Sequence, residues 1–302
     1  MSGDRFLVTG VLGCIGAWTA TLLVREGVHV VGYDLGEGRH RLELIATPEE
    51  IDEITFVRGD VTDLELIERT LGENEVTHVV HLAALQVPFV KANPPLGAQV
   101  NVTGTVNVFE AARRRGVKTP IAYASTAAVY DEHGNRNPRT LYGVFKIANE
   151  GTAAVYWVDE GVASVGIRPY VVFGPGRDQG ITSGPTLAME AAACGEPYHI
   201  AFGGRTELHY APDVARGFVA AARSAPDGAH AYEFPGTPVS IAEVVAAIEA
   251  EVPEARGTLT HEEAPLPFPE KLPGERLDAE TTPLVEAIHE TIEHFRAAVR
   301  TA

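Results

Sequence analysis

The sequence predicts an α/β fold, with a doubly wound parallel sheet and a smaller C-terminal lobe. In its first half, short apolar runs alternate with stretches of helical periodicity, as in parallel βαβ units. These runs are apolar on both faces, which is typical of a sheet covered by helices on both sides. Strands are expected at residues 6–10, 29–34, 54–60, 78–84, 120–126 and 164–170, and helices at 14–26, 62–72, 95–116 and 140–160.

A glycine-rich turn joins the first strand to the first helix. Gly10, Gly13 and Gly16 have the spacing G-x-x-G-x-x-G, and Cys14 and Ile15 lie between the last two. The commoner dinucleotide fingerprint is G-x-G-x-x-G, but the context of a strand before and a helix after is the same. Backbone N–H groups at such a helix N-terminus bind a pyrophosphate. The turn therefore predicts a dinucleotide site on a sheet of the Rossmann type.

Acidic residues close the second and third strands, at the sheet edge where such folds bind ligands. Asp34 follows the glycines by roughly 20 residues, where a carboxylate accepts the ribose hydroxyls of NAD and repels the extra phosphate of NADP. NAD is therefore the expected cofactor, although Arg39 and Arg41 leave NADP as an alternative. Asp60 is placed either to meet the adenine amino group or to cap the helix that follows it.

Tyr142 and Lys146 are four residues apart on one expected helix, so they share a face of it. A lysine ammonium there favours ionisation of the phenol, whose free pKa of about 10 is too high for a base at neutral pH. Ser125 and Thr126 end the preceding strand, where a hydroxyl can hold the oxygen that Tyr142 protonates or deprotonates. This group predicts hydride transfer at a carbon bearing oxygen. The alternative is a surface Tyr–Lys pair without a catalytic role.

The pattern changes near residue 170. We expect an NAD-binding domain over residues 1–170 and a substrate-binding lobe over 171–302, with residues 205–234 returning to the main sheet. Glycine and proline interrupt the chain after residue 170, which indicates a long loop rather than another βα unit. Further helices are expected at 185–194, 211–224 and 283–300, and a short strand at 197–201.

The loop at residues 176–186 is expected to cover the substrate. Its Arg177, Thr182 and Ser183 are candidates to bind hydroxyls or a carboxylate of the substrate. Arg205 is a further candidate for the substrate site. The alternative is that the loop is polar because it faces solvent.

Charge and cysteine content restrict the expected partners. The chain has 302 residues, with 24 Lys and Arg against 41 Asp and Glu and a net charge of −17. Nucleic acid and anionic membranes are not expected partners, because phosphates bind to clustered Lys and Arg. Cys14 and Cys194 lack the spacing of a zinc site, so we expect no metal and a reducing compartment. No leader pattern or long apolar run is present, which favours the cytoplasm. His81 is interpreted as a core histidine.

Together these motifs resemble the extended short-chain dehydrogenase/reductase family, in its NAD-dependent epimerase/dehydratase branch. The segments TGVLGCIG, YDL, GDVTD, HLAA, NVTGT, YGVFK and RPYVVFGPG occur in the family's order. The resemblance implies an NAD-dependent enzyme whose hydroxyl, base and lysine are Thr126, Tyr142 and Lys146, with the tyrosine and the lysine also meeting the cofactor. The other implied NAD positions are Gly10, Gly13, Cys14, Ile15, Gly16, Asp34, Asp60, Val61, Leu82, Ala83, Ala84, Asn101 and Pro169.

Departures from the family pattern predict the subtype. Ala127 and Ala128 stand where sugar-nucleotide dehydratases carry an Asp–Glu pair, and methyl groups cannot transfer protons. Nucleotide-sugar enzymes usually have an Asn just before the Y/F-G-P segment, where this chain has Val171-Val172, and an Arg where it has Thr206. Without these two groups, a buried diphosphate lacks compensating charge. We therefore expect a small carbohydrate-like substrate, namely a sugar, polyol or sugar acid.

Two other functions stay open. A nucleotide-sugar 4-epimerase that retains its NAD is the alternative, since Arg177 or Arg205 can supply the missing charge. A cofactor-sensing protein without activity is a third interpretation, but such proteins commonly lose the tyrosine or the lysine.

The resemblance also implies a homodimer. Its interface would be a four-helix bundle formed by the helices near 95–116 and 140–160. The apolar positions that fit this bundle, and that fit burial within one chain equally, are Val106, Phe109, Val144 and Ala148.

Overall fold

A seven-stranded parallel sheet forms the centre of the fold. The structure, a computed structural model, describes residues 3–301. The strands, in chain order, are β1 Arg5–Thr9, β2 His29–Asp34, β3 Ile54–Arg58, β4 His78–His81, β5 Ile121–Ala124, β6 Ser164–Arg168, β7 Val171–Phe173, β8 Tyr198–Ile200, β9 Arg205–Tyr210, β10 Ala229–Glu233, β11 Thr237–Ser240 and β12 Leu259–His261.

Helices cover both faces of this sheet. They are α1 Cys14–Arg25, α2 His40–Ile45, α3 Pro48–Asp52, α4 Leu64–Glu73, α5 Val87–Ala92, α6 Pro94–Ala98, α7 Gly104–Arg115, α8 Leu141–Glu160, α9 Gly184–Cys194, α10 Ala211–Arg223, α11 Ile241–Glu251 and α12 Leu284–Thr301. Shorter segments are a π-helix at Gln99–Thr103 and 3-10 turns at Ala127–Val129, Ile181–Ser183 and Pro253–Ala255.

The order of strands in the main sheet is β10-β6-β5-β4-β1-β2-β3. The chain runs outward from β1 to β3, then crosses back to β4 and continues in the other direction. The carboxyl ends of β1 and β4 are therefore adjacent where the order reverses, and open parallel sheets bind ligands in that crevice. This topology confirms the predicted doubly wound sheet of the Rossmann type.

The two faces of the sheet are packed by alternate residues of the same strands. Phe6 and Val8 of β1 belong to one apolar cluster with Phe218 of α10, whereas Leu7 belongs to another with Ile67 of α4. Helices thus exclude water from both faces of the sheet. This agrees with the strand sequences, in which apolar residues do not alternate with polar ones.

Most differences from the expected elements lie at strand ends. Strands β3, β4, β5 and β6 end two or three residues earlier than predicted, because the residues that follow turn away from the ladder at the carboxyl edge. The single helix expected at 95–116 is divided among α6, the π-helix and α7. The elements that the sequence did not predict are α2, α3, α5, α11, β7, β9, β10, β11 and β12.

A second apolar core fills the C-terminal lobe. It lies between a three-stranded sheet of order β11-β9-β7, a two-stranded sheet of β12 and β8, and helices α9, α11 and α12. The chain then returns, since β10 pairs with β6 in the main sheet and α10 packs on α1. β9 stays in the lobe, where it pairs with β7 and β11. The expected domain limits at residues 1 and 302 lie outside the described residues.

Neither a helix suited to cross a membrane nor a cluster of metal ligands is found within residues 3–301. None of their helices combines the length and the apolar character that a membrane crossing requires. No three His, Cys, Asp or Glu side chains in the same range come together as metal ligands would.

Candidate active site

The glycine-rich turn lies at the strand crossover and is packed too tightly for larger residues. Gly10 has a φ of 72°, and a Cβ there would lie 2.7 Å from the backbone nitrogen of Ala83. A Cβ on Gly16 would overlap the carbonyl oxygen of Gly10. Helix α1 begins at Cys14 with no side chain capping its first turn. Its free N–H groups therefore form a cradle that fits a dinucleotide pyrophosphate.

Cys14 and Ile15 complete this turn with apolar contacts. Ile15 packs against the core beneath α1. Burial raises the pKa of the Cys14 thiol to about 11, although the charges of Arg177 and Arg41 oppose this shift. The thiol is thus protonated at neutral pH and is not a nucleophile.

Asp34 holds the loop beside the turn. Its Oδ2 accepts a hydrogen bond of 3.0 Å from the Leu12 backbone N–H, and its Oδ1 accepts one of 3.0 Å from Gly36. The two arginines that could bind the phosphate of NADP are engaged elsewhere. Arg39 lies 3.9 Å from the centre of the Phe56 ring, and Arg41 donates to the Leu12 carbonyl at 2.9 Å. This arrangement fits NAD better than NADP.

Asp60 shapes the next loop rather than capping α4. Its Oδ1 accepts from the Thr62 N–H at 2.9 Å, and its carbonyl oxygen accepts from the Tyr33 hydroxyl at 2.8 Å. The cap of α4 is Asp63, which accepts from the Leu66 N–H at 2.9 Å.

Val61, which follows Asp60, is held in place by contacts with α7. Its carbonyl oxygen accepts from the Asn107 side chain at 3.0 Å, and its own side chain fills the space beside Gly104. The Asp60–Val61 backbone is thus held rigidly at the edge where an adenine would lie.

The segment after β4, residues 82–84, is fixed at both ends. The Thr9 hydroxyl accepts hydrogen bonds from the N–H groups of Leu82 and Ala83, at 3.2 and 3.3 Å. Asn101, which is buried, exchanges two hydrogen bonds of 2.7 and 2.8 Å with the backbone of Leu85. Ala84 lies between these two anchors. This segment therefore forms the second wall of the dinucleotide crevice.

His81 is a core residue, as interpreted from the sequence. Its two ring nitrogens lie 2.7 Å from the Thr9 hydroxyl and 3.0 Å from the Thr105 hydroxyl. Burial lowers the pKa of His81 to about 3, so the ring is neutral.

Thr126, Tyr142 and Lys146 come together at the carboxyl end of β5. The Thr126 side chain is close enough to the Tyr142 phenol to lower its pKa, and the Thr126 hydroxyl accepts from the Ala128 N–H at 3.2 Å. The Lys146 ammonium lies 5.6 Å from the centre of the Tyr142 ring and donates a hydrogen bond to the carbonyl oxygen of Ala124. Thr140 caps α8 by accepting from Gly143, which fixes the first turn that carries Tyr142.

Burial and the neighbours of Tyr142 act in opposite directions on the pKa of its phenol. Burial raises the pKa of its phenol, and the opposing influences are the charge of Arg177 and the side chain of Thr126. The expected lowering of this pKa by Lys146 stays a prediction; its ammonium lies 5.6 Å from the ring centre and donates to the backbone of β5.

Ser125 and Pro169 form hydrogen bonds with residues that surround this site. The Ser125 hydroxyl donates to Oε1 of Glu150 at 2.6 Å, so it is engaged within the protein. Glu150 also accepts two hydrogen bonds from Arg168, at 2.7 and 2.8 Å. The Pro169 carbonyl accepts from the Ala127 N–H at 3.1 Å.

The loop after β7 lies over the glycine-rich turn. The Pro175 carbonyl accepts from the Trp18 indole at 2.9 Å, and Asp178 binds Arg41 through two hydrogen bonds of 3.0 and 2.7 Å. These contacts close the loop onto the cofactor side of the crevice.

The candidate substrate residues of this loop make their hydrogen bonds within the loop itself. Arg177 donates from Nη2 to the Thr182 hydroxyl at 2.9 Å. Ser183 donates to the Gly180 carbonyl at 2.7 Å and is buried.

Arg205 is not brought to this loop. It begins β9, and the register of β9 against β7 places Leu208 beside Val171. Arg205 therefore lies at the end of this sheet away from the loop that follows Phe173. Its exposed side chain is 3.3 Å from Glu243.

Sequence reasoning missed two residues of the site. Glu150 could have been found, since it follows Lys146 by four positions on the same helix face. Asp178 carried no such signal, because its partner Arg41 is 137 residues away.

Comparison with known proteins agrees with this geometry. The sequence profile of the NAD dependent epimerase/dehydratase family matches residues 6–234. The chain belongs to this family. The predicted family, and with it the expectation of an NAD-dependent enzyme with NAD as its cofactor, is confirmed.

Two relatives of similar sequence are UDP-sugar 4-epimerases. A UDP-glucose 4-epimerase from Mycolicibacterium smegmatis is 33% identical over 238 residues, which are 74% of this chain and 75% of that protein. UDP-glucuronate 4-epimerase 6 from Arabidopsis thaliana is 31% identical over 190 residues, 57% of this chain. The match spans only 40% of that relative's length.

Solved structures share the fold over almost the whole chain. The UDP-glucose 4-epimerase of Thermus thermophilus, in complex with NAD, has a TM-score of 0.76 and 28% sequence identity. The comparison covers 97% of this chain and 99% of that one.

Proposed function

We propose that this protein is an NAD-dependent oxidoreductase that transfers hydride at a hydroxyl or keto carbon of a sugar, polyol or sugar acid. The observation that carries this proposal is the meeting of Thr126, Tyr142 and Lys146 at the carboxyl end of β5. They lie at the edge of the sheet that also carries the glycine-rich turn.

Each of the three residues has a distinct part in the proposed reaction. The Tyr142 phenolate would accept the proton of the substrate hydroxyl, and Thr126 would hold that oxygen by a hydrogen bond. Lys146, fixed by Ala124, would place its positive charge one helical turn from the phenol. Bound NAD would supply the acceptor for the hydride. Burial of this site strengthens the effect of each charge on its neighbours.

The residues that would hold NAD are the walls of the crevice. The first-turn N–H groups of α1 fit the pyrophosphate, and Asp34 fits the adenosine ribose. The segment anchored by Asn101 would lie along the nicotinamide half, and Lys146 would reach the ribose of that half.

The lobe supports a small substrate in preference to a nucleotide sugar. Thr206 is buried, and Val171 and Val172 are buried in the strand before the loop. Arg205, one place from Thr206, is exposed and bound to Glu243. Neither position offers a free cation for a diphosphate, and burying unpaired phosphate charge is costly.

A nucleotide-sugar 4-epimerase with retained NAD is the second candidate. Similarity to the epimerase from Mycolicibacterium smegmatis favours it, since the match covers most of both chains. In that case the hydride would return to the opposite face of the same carbon, with no net oxidation.

Assays on one purified preparation distinguish the dehydrogenase from the 4-epimerase. The dehydrogenase would require added NAD and build up reduced nicotinamide, which absorbance follows. The epimerase would purify with its cofactor and convert UDP-glucose or UDP-glucuronate without a net absorbance change.

The catalytic assignment is tested with Tyr142→Phe. Loss of the phenol should lower kcat/KM by about 100-fold or more, which corresponds to roughly 3 kcal/mol. The dissociation constant for NAD should stay nearly constant. Tyr198→Phe, in the two-stranded sheet of the lobe, is the matched control and should keep full activity. Unchanged turnover in Tyr142→Phe would show the mechanism to be wrong.

A further inference from the structure

The Arg177 guanidinium has no carboxylate in ion-pair contact among the described residues, although the charge of Asp178 acts on it. Its Nε is buried and has no hydrogen-bond partner among the described residues. Within the same residues, the one hydrogen bond of its side chain joins Nη2 to the hydroxyl of Thr182, which is a neutral group. Its charge lowers the pKa of both Tyr142 and Cys14, against the effect of burial.

Asp178, the nearest acidic residue in sequence, acts on Arg177 through its charge but makes its hydrogen bonds to other residues. Asp178 is held by Arg41, through hydrogen bonds of 3.0 and 2.7 Å, and by His40 at 3.1 Å. Those bonds fix the backbone of the loop onto the α2 side of the crevice. The Nε of Arg177 is left without a partner among the described residues, and a guanidinium with an unused buried N–H favours an anion as its ligand.

We propose that Arg177 binds a carboxylate of the substrate, so that the substrate is a hydroxy acid of the aldonate or uronate class. This inference rests on the proposed function and narrows it from sugars and polyols to their acids. A guanidinium offers parallel N–H donors whose spacing matches the two oxygens of a carboxylate. The Thr182 hydroxyl, already held by Arg177, is placed to donate to the same group.

The pyrophosphate of the cofactor and the diphosphate of a nucleotide sugar are the other anions that Arg177 could bind. A carboxylate of the substrate is favoured because the guanidinium acts on Tyr142, where the reacting oxygen must lie. The pyrophosphate already has the free N–H groups at the start of α1. The acidic chain, with a net charge of −17, gives no general attraction for anions. Selectivity must therefore come from Arg177 itself.

The test measures binding separately from turnover. The protein saturated with reduced NAD is titrated calorimetrically with matched pairs, gluconate against glucitol and galacturonate against galactose. The wild type should bind one acid at least about 100-fold more tightly than its neutral partner, since a site built for a polar group rejects the analogue lacking it. Arg177→Gln should abolish that difference, and Arg177→Lys should restore part of it.

Two controls isolate the role of Arg177. Arg256→Gln, on the exposed surface of the lobe, should leave acid binding as in the wild type. The affinity of Arg177→Gln for NAD should stay within about threefold of the wild type, and its melting temperature should show that it is folded.

Distinct results overturn the proposal. Equal binding of acids and neutral partners by the wild type excludes the carboxylate site. A loss of NAD affinity in Arg177→Gln, with acid binding retained, assigns Arg177 to the cofactor. Oxidation of the neutral sugars or polyols alone also overturns the inference but supports the proposed function. Selective acid binding that Arg177→Gln removes, without turnover of any compound, supports the carboxylate site and counts against the proposed function.

Discussion

Lys146 donates a hydrogen bond of 2.7 Å from its Nζ to the carbonyl oxygen of Ala124, the last residue of β5. This bond fixes helix α8 to the end of β5, two residues before Thr126. The position of the ammonium is thus set by the sheet, and the tyrosine one turn earlier is held at a constant distance from it.

The alkaline limb of activity should report Lys146. Burial lowers the pKa of its ammonium to about 8, and the Glu150 carboxylate opposes this shift. If the charged lysine is required, kcat/KM should fall as the pH rises above about 8, because the ammonium loses its proton. Glu150→Gln removes the opposing charge and should move this limb to lower pH, which a pH–rate profile measures. If the alkaline limb of Glu150→Gln lies at the same pH as that of the wild type, coupling between Glu150 and Lys146 is excluded.

Gly16→Ala should impair cofactor binding. Its Cβ would overlap the Gly10 carbonyl oxygen, so the turn must shift away from the helix N-terminus. We expect the affinity for NAD to fall by about tenfold or more and stability to fall by about 1–3 kcal/mol. Gly3→Ala is the control, because no heavy atom lies within 4 Å of its added Cβ. Titration calorimetry would contradict the expectation if both variants bound NAD equally.

Acid should destabilise the lobe through Glu207. The carboxylate is buried, which raises its pKa, but hydrogen bonds from Arg276 at 2.6 and 2.7 Å outweigh burial and lower the pKa to about 2. In the unfolded chain the Glu207 carboxyl titrates near pH 4.5. The stabilisation that its carboxylate gives the folded lobe is therefore complete above about pH 4.5 and is lost as the pH falls toward 2.

Substitutions of this pair test its energy. Arg276→Met leaves the Glu207 charge buried without its cation and should lower the free energy of unfolding by about 2–3 kcal/mol. The double variant Arg276→Met/Glu207→Gln removes the charge as well and should be more stable than Arg276→Met. Chemical denaturation at pH 7 and at pH 3 measures both effects. A smaller loss in Arg276→Met than in the double variant would contradict this account.

The exposed face of α8 should be a dimer interface. Val155 and Val158 are 57% and 79% exposed, and Leu141 and Val144 lie on the same helical face. Phe109, one of the positions expected at this interface, is buried within the chain's own core, whereas Val144 is exposed. We therefore expect a homodimer in solution.

Light scattering checks this expectation. Val155→Glu/Val158→Glu should give the mass of a monomer, because four charges would be buried in a symmetric interface. Val285→Glu, on the exposed side of α12, should keep the dimer mass. A wild type of monomer mass would refute the interface.

Local patterns in the sequence determined much of the fold and part of the site. The strand and helix alternation needed only hydrophobic periodicity, and the glycine turn needed only spacing and context. Tyr142 and Lys146 face the same way because any helix brings residues four apart together. These features depend on short stretches of chain, so the sequence alone predicts them.

The tertiary structure decided what those residues contact. Ser125 binds Glu150, 25 residues away, and Lys146 binds the backbone of β5 at Ala124. Asp178 fixes the loop that carries Arg177 to Arg41, 137 residues away. Such pairings arise when distant segments pack together, and no local periodicity encodes them.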